Sequence, residues 1–318
     1  MTEVLTAGTE FGIEDKYARL QQIIAGFDSA IVAFSAGIDS SLVAFVAHQV
    51  LVQRALAITS GSLSLKRADL ALARRLAAQW GMLHRVVMTD EIAKADYRAN
   101  PTNRCFHCKT SLYTLLRAIA DKEGYDVLLN GTNLDDLGDH RPGLIAADDH
   151  AVKSPLVEAG FRKADVRALA RQLGLQNAEK PQAACLSSRF PYGTAITETL
   201  LAQVEQAEEL LAALGLTQFR VRHHGDIARL EVMPDDMPML LQHRQQIETT
   251  MKSFGYLYVT LDLGGFEVEV IVTNTPGRLP DTYQVIPPEG YIAIPQILEV
   301  EEDGTGRVAI YRMDGVGA

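Results

Sequence analysis

Cysteine is scarce in this chain of 318 residues, which contains only three. Three cysteines are too few, and odd in number, for a disulfide framework, so a reducing, cytoplasmic setting is expected. Runs of about 18 apolar residues are absent, and the first residues lack the basic start of a signal peptide, so no membrane association is expected. Basic residues are outnumbered by acidic ones, 30 to 40, with a net charge of −10 and a pI near 5.3. This balance argues against nucleic acid as a partner.

The chain does contain a regular alternation of apolar strands and amphipathic helices. Hydrophobic residues make up 47% of it and charged residues 22%, which is ordinary for a globular protein of one large or two medium domains. The alternation predicts an α/β fold with a parallel sheet, which binds ligands beyond the carboxyl ends of its strands. The predicted strands are 30–34, 55–59, 84–88 and 126–129, with 153–156 as a candidate fifth; the predicted helices are 13–27, 40–53, 66–80, 109–123 and 163–173.

The segment Ser35–Ser41 interrupts the first strand–helix pair with small and hydroxyl residues. A strand, a short loop and a helix present free backbone N–H groups and the helix dipole to an anion. The loop resembles the Ser-Gly-Gly-x-Asp-Ser motif of the PP-loop ATP pyrophosphatases, although Ala36 replaces the first glycine. The alternative is a tight strand–helix turn capped by Ser or Asp.

A second polar segment, Asn130–Gly143, follows the fourth strand. Its acids, Asp135, Asp136 and Asp139, suggest Mg²⁺ beside a phosphate site, and Arg141 suggests a contact with phosphate or carboxylate. The alternative is a solvated acidic loop that caps a helix.

The three cysteines are arranged as a pair, Cys105-x-x-Cys108, and a distant Cys185. A lone CxxC fits half of a zinc site, a redox pair or two unrelated thiols. Three thiolates also suit an iron–sulfur cluster with one open iron.

The region after residue 196 predicts a small α+β domain, with helices at 197–214 and 235–253 and strands at 218–222, 228–233 and 256–263. Period-2 alternation places Arg220 and Arg222 on one strand face, where they could grip a phosphate; the alternative is a solvated strand face. His223 and His224 are interpreted as surface residues. Strands at 297–302 and 307–311 predict a hairpin in a tail that has no functional interpretation.

Five motifs occur in an order that resembles the LarE family of ATP-dependent sulfur transferases: the loop at Ser35, NPTNRCFHCK, NGTNLDDLGDHRPG, KPQAACLSSRFPYGTAIT and QFRVRHHGDIARLEV. The resemblance covers about residues 13–265, and past Gly265 the chain departs from the family pattern. It implies a PP-loop (adenine nucleotide alpha hydrolase-like) domain over 1–180. A smaller domain for sulfur transfer, substrate binding and oligomerisation would span 181–318.

The resemblance also implies a reaction. The enzyme would adenylate a carboxylate of pyridinium-3,5-biscarboxylic acid mononucleotide with ATP and Mg²⁺ and convert it to a thiocarboxylate for a nickel-pincer cofactor. Single-cysteine members give up the sulfur of a cysteine at the position of Cys185. Three-cysteine members hold a [4Fe–4S] cluster, here on Cys105, Cys108 and Cys185. An external sulfur donor and a homo-oligomer are further implications.

Site residues follow from this hypothesis. Asp39 and the three cysteines would be catalytic, and Arg189, Arg220, Arg222 and Glu231 would bind the nucleotide substrate. The ATP site would comprise Ala33, Phe34, Ser35, Gly37, Asp39, Ser40, Ser60, Gly131, Thr132, Asn133 and Arg141. Two alternatives stay open: another PP-loop enzyme such as a tRNA thiolase, and a non-catalytic adenine-nucleotide binder.

Overall fold

A computed structural model describes residues 12–137, 142–181, 184–266, 270–271, 291–300 and 305–312. These residues form two compact units. The first unit contains the described residues up to Ser188 together with Tyr192–Leu201, and the second contains Arg189–Pro191 and the described residues from Ala202 onward. No helix in the described ranges is both long and apolar enough to cross a membrane.

The first unit is an α/β layer structure around a parallel sheet of four strands in the order β3-β2-β1-β4. The central strand β1 is buried, because it is apolar and covered on both faces by helices, as parallel sheets require. The strands are β1 Ala30–Ala33, β2 Ala55–Ser60, β3 Leu83–Val87 and β4 Val127–Leu129; the helices are α1 Ile13–Ala25, α2 Ile38–Leu51, α3 Arg67–Trp80, α4 Ala95–Arg98, α5 Arg104–Glu123, α6 Pro142–Asp149, α7 Pro155–Glu158 and α8 Lys163–Gln172.

The predicted α/β fold and its parallel sheet are confirmed, with two local corrections. The candidate fifth strand at 153–156 is wrong: Lys153 makes a single bridge to Leu129, and Pro155 then starts the short helix α7. Proline fits this position because its missing N–H is not needed in a first helical turn. Helix α5 begins at Arg104 rather than at residue 109, so both cysteines of the CxxC lie in its first turns.

The second unit contains a mixed sheet in the order β5-β6-β7, in which β5 pairs antiparallel and β7 parallel with β6. Its core is formed by helices packed on one sheet face, with Val221, Leu230 and Met251 fully or almost fully buried. The elements are α9 Glu198–Ala213, β5 Phe219–His224, β6 Ile227–Val232, α10 Met237–Gln242, α11 Arg244–Ser253 and β7 Tyr258–Leu261.

Two predictions for the second unit need correction. The helix expected over 235–253 is divided at His243 into α10 and α11. His223 is buried, not exposed, because it alternates with Arg222 and shares the core face with Val221. The predicted hairpin is confirmed: β9 Tyr291–Val300 pairs antiparallel with β10 Thr305–Arg312, and β10 also pairs with β8 Val270–Ile271.

Candidate functional site

The strand order places the loops after β1 and β4 next to each other, at the point where the chain reverses direction across the sheet. Ligands of open α/β sheets bind at such a point. The two loops approach closely: a Cβ atom added to Gly131 would lie 2.5 Å from the Ser40 backbone nitrogen and 2.8 Å from the Asp39 carbonyl carbon. A side chain at position 131 would therefore push the two loops apart.

The loop Ser35–Ser41 is organised by its own hydroxyl groups. Ser40 Oγ accepts the Ser35 N–H at 3.2 Å, donates to the Gly37 carbonyl at 3.0 Å and lies 3.1 Å from Ser35 Oγ. Helix α2 starts directly afterwards at Ile38, so its positive end is directed at this loop. Ala36 is buried in the left-handed region with φ of +57°, the position where the family motif has glycine.

Asp39, in the first turn of α2, forms the charged centre of this region. Its carboxylate lies 2.5 Å from Lys163 Nζ and accepts from Asn133 Nδ2 at 3.2 Å. Sequence reasoning missed Lys163, the first residue of α8, because no local pattern relates it to Asp39, 124 positions earlier. A bound phosphate would offer Lys163 a second anion.

Two of the acidic residues expected to hold Mg²⁺, Asp135 and Asp136, have structural partners. Asp136 accepts the Asn133 N–H in a capping box at 3.0 Å, while Asp135 accepts from the Lys163 N–H and pairs with Arg162, each at 2.7 Å. Asp139 and Arg141 lie outside the described residues. Asp39, by contrast, lies within the Ser35–Ser41 loop itself. One carboxylate plus substrate phosphates is a usual set of Mg²⁺ ligands.

The remaining residues predicted to bind ATP lie near the carboxyl ends of the same strands. Ala33 ends β1, and Phe34 continues its pairing with β2 through a 2.8 Å N–H bond to the Ile58 carbonyl. Ser60 ends β2, its hydroxyl 2.8 Å from Thr89 Oγ1, and the Thr132 N–H donates to Asn130 Oδ1 at 3.0 Å. Their contact with adenosine stays a prediction.

The three cysteines belong to the first unit but occupy different environments: Cys105 is exposed, whereas Cys108 and Cys185 are half-buried. Burial, reinforced by the negative charge of Glu91, raises the pKa of Cys108 to about 12; Cys185 and Cys105 act in the same direction and Lys109 opposes them. Without a metal, Cys108 is consequently a neutral thiol at pH 7.

A buried clamp joins the Cys185 segment to the helix that carries the CxxC. Arg104, next to Cys105, donates to the Ser187 carbonyl at 2.9 Å and to Asn100 Oδ1. The Tyr97 hydroxyl lies 2.6 Å from Ser187 Oγ, and all four of these side chains are buried. The clamp fixes the Cys185 loop relative to α5.

The donor chemistry of three thiols fits an iron–sulfur cluster. In the described part of the chain, however, no group of three or more His, Cys, Asp or Glu side chains is arranged to hold a metal ion.

The residues predicted to bind substrate lie in the second unit. Arg189 forms a bidentate ion pair with Glu208 at 2.7 and 3.2 Å, and both side chains are 3% exposed. Arg222 contacts both oxygens of Glu231 at 2.9 Å, and Arg229 approaches the same carboxylate at 2.8 Å. The Arg220 guanidinium lies 4.7 Å from the centre of the Phe266 ring. The predicted alternation of β5 and β6 is therefore confirmed, whereas substrate binding stays a prediction.

Comparison with known proteins gives consistent results. Residues 28–139 match the sequence profile of the asparagine synthase family. An uncharacterised protein of Synechocystis is 43% identical over 257 residues, which cover 80% of this chain and 96% of that protein. The pyridinium-3,5-bisthiocarboxylic acid mononucleotide synthase of Lactiplantibacillus plantarum is 37% identical over 268 residues, which cover 84% of this chain and 94% of that protein.

Identity at this level over nearly the whole length of the second protein goes well beyond a shared nucleotide loop. It agrees with the five motifs and with the parallel sheet that carries the first of them. The chain therefore belongs to the LarE family of PP-loop enzymes, sulfur transferases that act with ATP.

Proposed function

We propose that this protein adenylates a carboxylate of pyridinium-3,5-biscarboxylic acid mononucleotide and replaces the adenylate with sulfur, giving a thiocarboxylate. The observation that supports this most directly is that Lys163 contacts Asp39 of the Ser35–Ser41 loop at the topological switch point of the sheet, between β1 and β4. The substrate class follows from the Lactiplantibacillus relative, a pyridinium-3,5-bisthiocarboxylic acid mononucleotide synthase.

In the first step, a carboxylate oxygen of the substrate attacks the α-phosphorus of ATP, and pyrophosphate leaves. Backbone N–H groups of the loop and the N-terminus of α2 hold the phosphates. Asp39 would hold Mg²⁺ through a carboxylate oxygen, and Lys163, which contacts Asp39, would balance phosphate charge. Catalysis at this stage consists of positioning and charge neutralisation.

In the second step, a sulfur nucleophile attacks the adenylated carbonyl carbon and AMP leaves. We propose that Cys105, Cys108 and Cys185 act as one unit in this step. The three thiolates would hold an iron–sulfur cluster, which would supply the sulfur nucleophile. The contribution of the chain is the clamp of Arg104 and Tyr97, which keeps Cys185 in a fixed relation to α5.

The charged face of β5 and β6 is proposed to hold the phosphate of the mononucleotide. Arg222 and Arg229 lie directly opposite each other across the two strands, and Glu231 bridges them. Like charges at such a pair are unfavourable. With Arg220 on the same face, the three arginines have a positive surplus over Glu231 and Asp262, which suits an anion. The homo-oligomer, the external sulfur donor and the cytoplasmic setting are part of the same proposal.

The two steps can be tested separately. We expect Asp39→Asn to abolish pyrophosphate release with the fold intact, whereas Glu123→Gln, which alters an exposed carboxylate paired with Arg85, should release pyrophosphate as the wild type does. Unchanged release by Asp39→Asn would contradict the ATP site.

The cysteines are tested by single and triple Cys→Ser variants purified without oxygen. If they act as a unit, each single variant should lose most bound iron and thiocarboxylate formation while pyrophosphate release continues, and the triple variant should be hardly worse. If only Cys185→Ser is inactive, Cys185 is a sacrificial sulfur donor. Tightly bound zinc and no iron in the wild type would contradict both versions.

A further inference from the structure

The Ala36 carbonyl oxygen receives two donors from the segment that follows α8. Asn177 Nδ2 donates to it at 3.0 Å and Lys180 Nζ at 3.3 Å. Both donors are themselves fixed. Asn177 is 4% exposed and also reaches Ser41 Oγ at 2.8 Å, while Lys180 forms a half-buried ion pair with Asp69 at 2.8 Å.

The orientation of the Asn177 amide follows from its partner. A carbonyl oxygen can only accept a hydrogen bond, so the NH₂ group and not Oδ1 must face Ala36. Oδ1 of Asn177 is buried and has no hydrogen-bond partner among the described residues. Burying an unsatisfied acceptor costs free energy, and the two hydrogen bonds that the amide donates offset this cost. We interpret Asn177 as a residue that supports the loop, because both donated bonds go to Ala36 and Ser41.

Peptide geometry connects this contact to the ligand side of the loop. In a planar trans peptide the C=O of one residue and the N–H of the next point in opposite directions. Because the Ala36 carbonyl oxygen points toward Asn177 and Lys180, the Gly37 N–H must point away from these two residues. Among the described residues this N–H makes only a long 3.4 Å contact, with Ser35 Oγ, and Gly37 is half-buried, so the N–H is available to a phosphate oxygen.

We propose that Asn177 and Lys180 are positioning residues that lock the Ala36–Gly37 peptide so that its N–H faces the phosphates of ATP. The lock is needed because Ala36 lies at φ +57°, a conformation that an alanine does not hold by its own preference. Without the two donors, rotation of the peptide would turn its carbonyl oxygen toward the phosphates and replace an attraction by a repulsion.

The test rests on the ATP site of the proposed function and uses the full-length protein labelled with ¹⁵N-glycine. The probe is an ATP analogue with a methylene group between the α- and β-phosphorus. In the wild type, the amide signals of Gly37 and Gly131 should both move on binding. In Asn177→Ala and in Lys180→Met, the Gly37 response should be lost and the dissociation constant should rise about tenfold, the effect of one lost hydrogen bond.

Lys16→Met is the matched control, because Lys16 also forms a partly buried ion pair, with Asp165, but does not contact the loop carbonyl. It should bind the analogue as the wild type does, with an unchanged Gly37 response. The thermal unfolding midpoints of all variants show whether a lost Gly37 response reflects a changed peptide orientation or an unfolded protein. If Asn177→Ala does not fold, the result for Lys180→Met tests the proposal.

The outcomes distinguish two failures. A wild-type protein in which neither glycine responds to the analogue would contradict the proposed ATP site, and the lock with it. A wild-type Gly37 response that persists in folded Asn177→Ala and Lys180→Met, with unchanged affinity, would contradict the lock alone.

Discussion

At the scale of single residues, Ala36 shows how the structure accommodates an alanine where the PP-loop motif has glycine. The motif glycine is replaced by an alanine in the left-handed region, where a Cβ atom costs roughly 1–2 kcal/mol. A glycine would avoid this cost, but the greater entropy of the unfolded chain would lower the free energy of unfolding by about 0.4–1 kcal/mol. We therefore expect Ala36→Gly to raise the free energy of unfolding by up to about 1 kcal/mol in urea denaturation.

The same substitution elsewhere provides the control for this expectation. Ala47 lies inside helix α2, where glycine is unfavourable, so Ala47→Gly should lower the free energy of unfolding by about 1 kcal/mol or more. Equal losses at both positions would mean that Ala36 is not strained.

His223 supplies a pH-dependent prediction. Burial lowers its pKa, the His224 charge lowers it further, and Asp226 opposes both; its ring lies against Phe190, and Nδ1 is 3.4 Å from the Tyr256 hydroxyl. The unfolded chain then binds a proton more readily than the folded one. The stability contributed by the neutral ring is complete above about pH 6.5 and is lost as the pH falls below it.

We accordingly expect His223→Gln, which removes the titrating group at similar volume, to lose less unfolding free energy between about pH 7.5 and pH 5 than the wild type does. Urea denaturation at the two pH values measures the difference. Identical losses in the two proteins would show that burial of His223 does not couple folding to protonation.

At the scale of elements, sequence periodicity predicted the sheet but not the contacts between loops. Strands β1, β2 and β4 of the first unit are mostly apolar runs, which local sequence reports directly, whereas β3 contains His84 and Arg85. Asn103 occupies the N-cap position of α5 and is a residue type favoured there, so the start at Arg104 had a sequence signal that the prediction did not use. Asp136 caps through Asn133, three residues away, which agrees with the helix-capping alternative raised from the sequence. The contacts of Asp135 and Asp39 with Lys163 join residues far apart in sequence, which a local pattern does not relate.

The clamp between α5 and the Cys185 segment can be tested at this scale. Loss of a buried, charge-assisted hydrogen bond costs about 1.5–3 kcal/mol, so Arg104→Met should destabilise the first unit and release Ser187. We expect thiocarboxylate formation to fall at least about tenfold while pyrophosphate release changes little, because the clamp does not touch the loop at Ser35–Ser41. The two products are measured in the same reaction.

Arg117→Met is a suitable comparison for this variant, since Arg117 also donates from α5 to a backbone carbonyl, that of His150 at 3.2 Å. It should leave the ratio of thiocarboxylate to pyrophosphate unchanged. A parallel decline of both products in Arg104→Met would indicate general destabilisation instead of misplacement of Cys185.

At the scale of the whole molecule, the residues to which the proposed function assigns roles fall in two units. The nucleotide loop, its lysine and the three cysteines belong to the first unit, whereas the arginine-rich face of β5 and β6 belongs to the second. The motif at residues 180–197 is divided between the units, because Arg189–Pro191 group with the second unit and the described residues on either side group with the first. The link between the Cys185 segment and α5 could not be predicted, since no spacing rule relates Cys185 to a CxxC 77 positions earlier.

This division predicts which kinetic constant each arginine controls. Arg222 already shares Glu231 with Arg229, so a phosphate on this face would complete the charge balance. We expect Arg220→Ala and Arg222→Ala to raise the KM for the mononucleotide roughly 10- to 100-fold, the value of a charge-assisted hydrogen bond, with the KM for ATP nearly unchanged. Lys252→Ala, which removes an exposed pair with Glu248, should change neither constant. An equal rise in the KM for ATP would place these arginines at the nucleotide site of the first step and overturn their assignment to the acceptor.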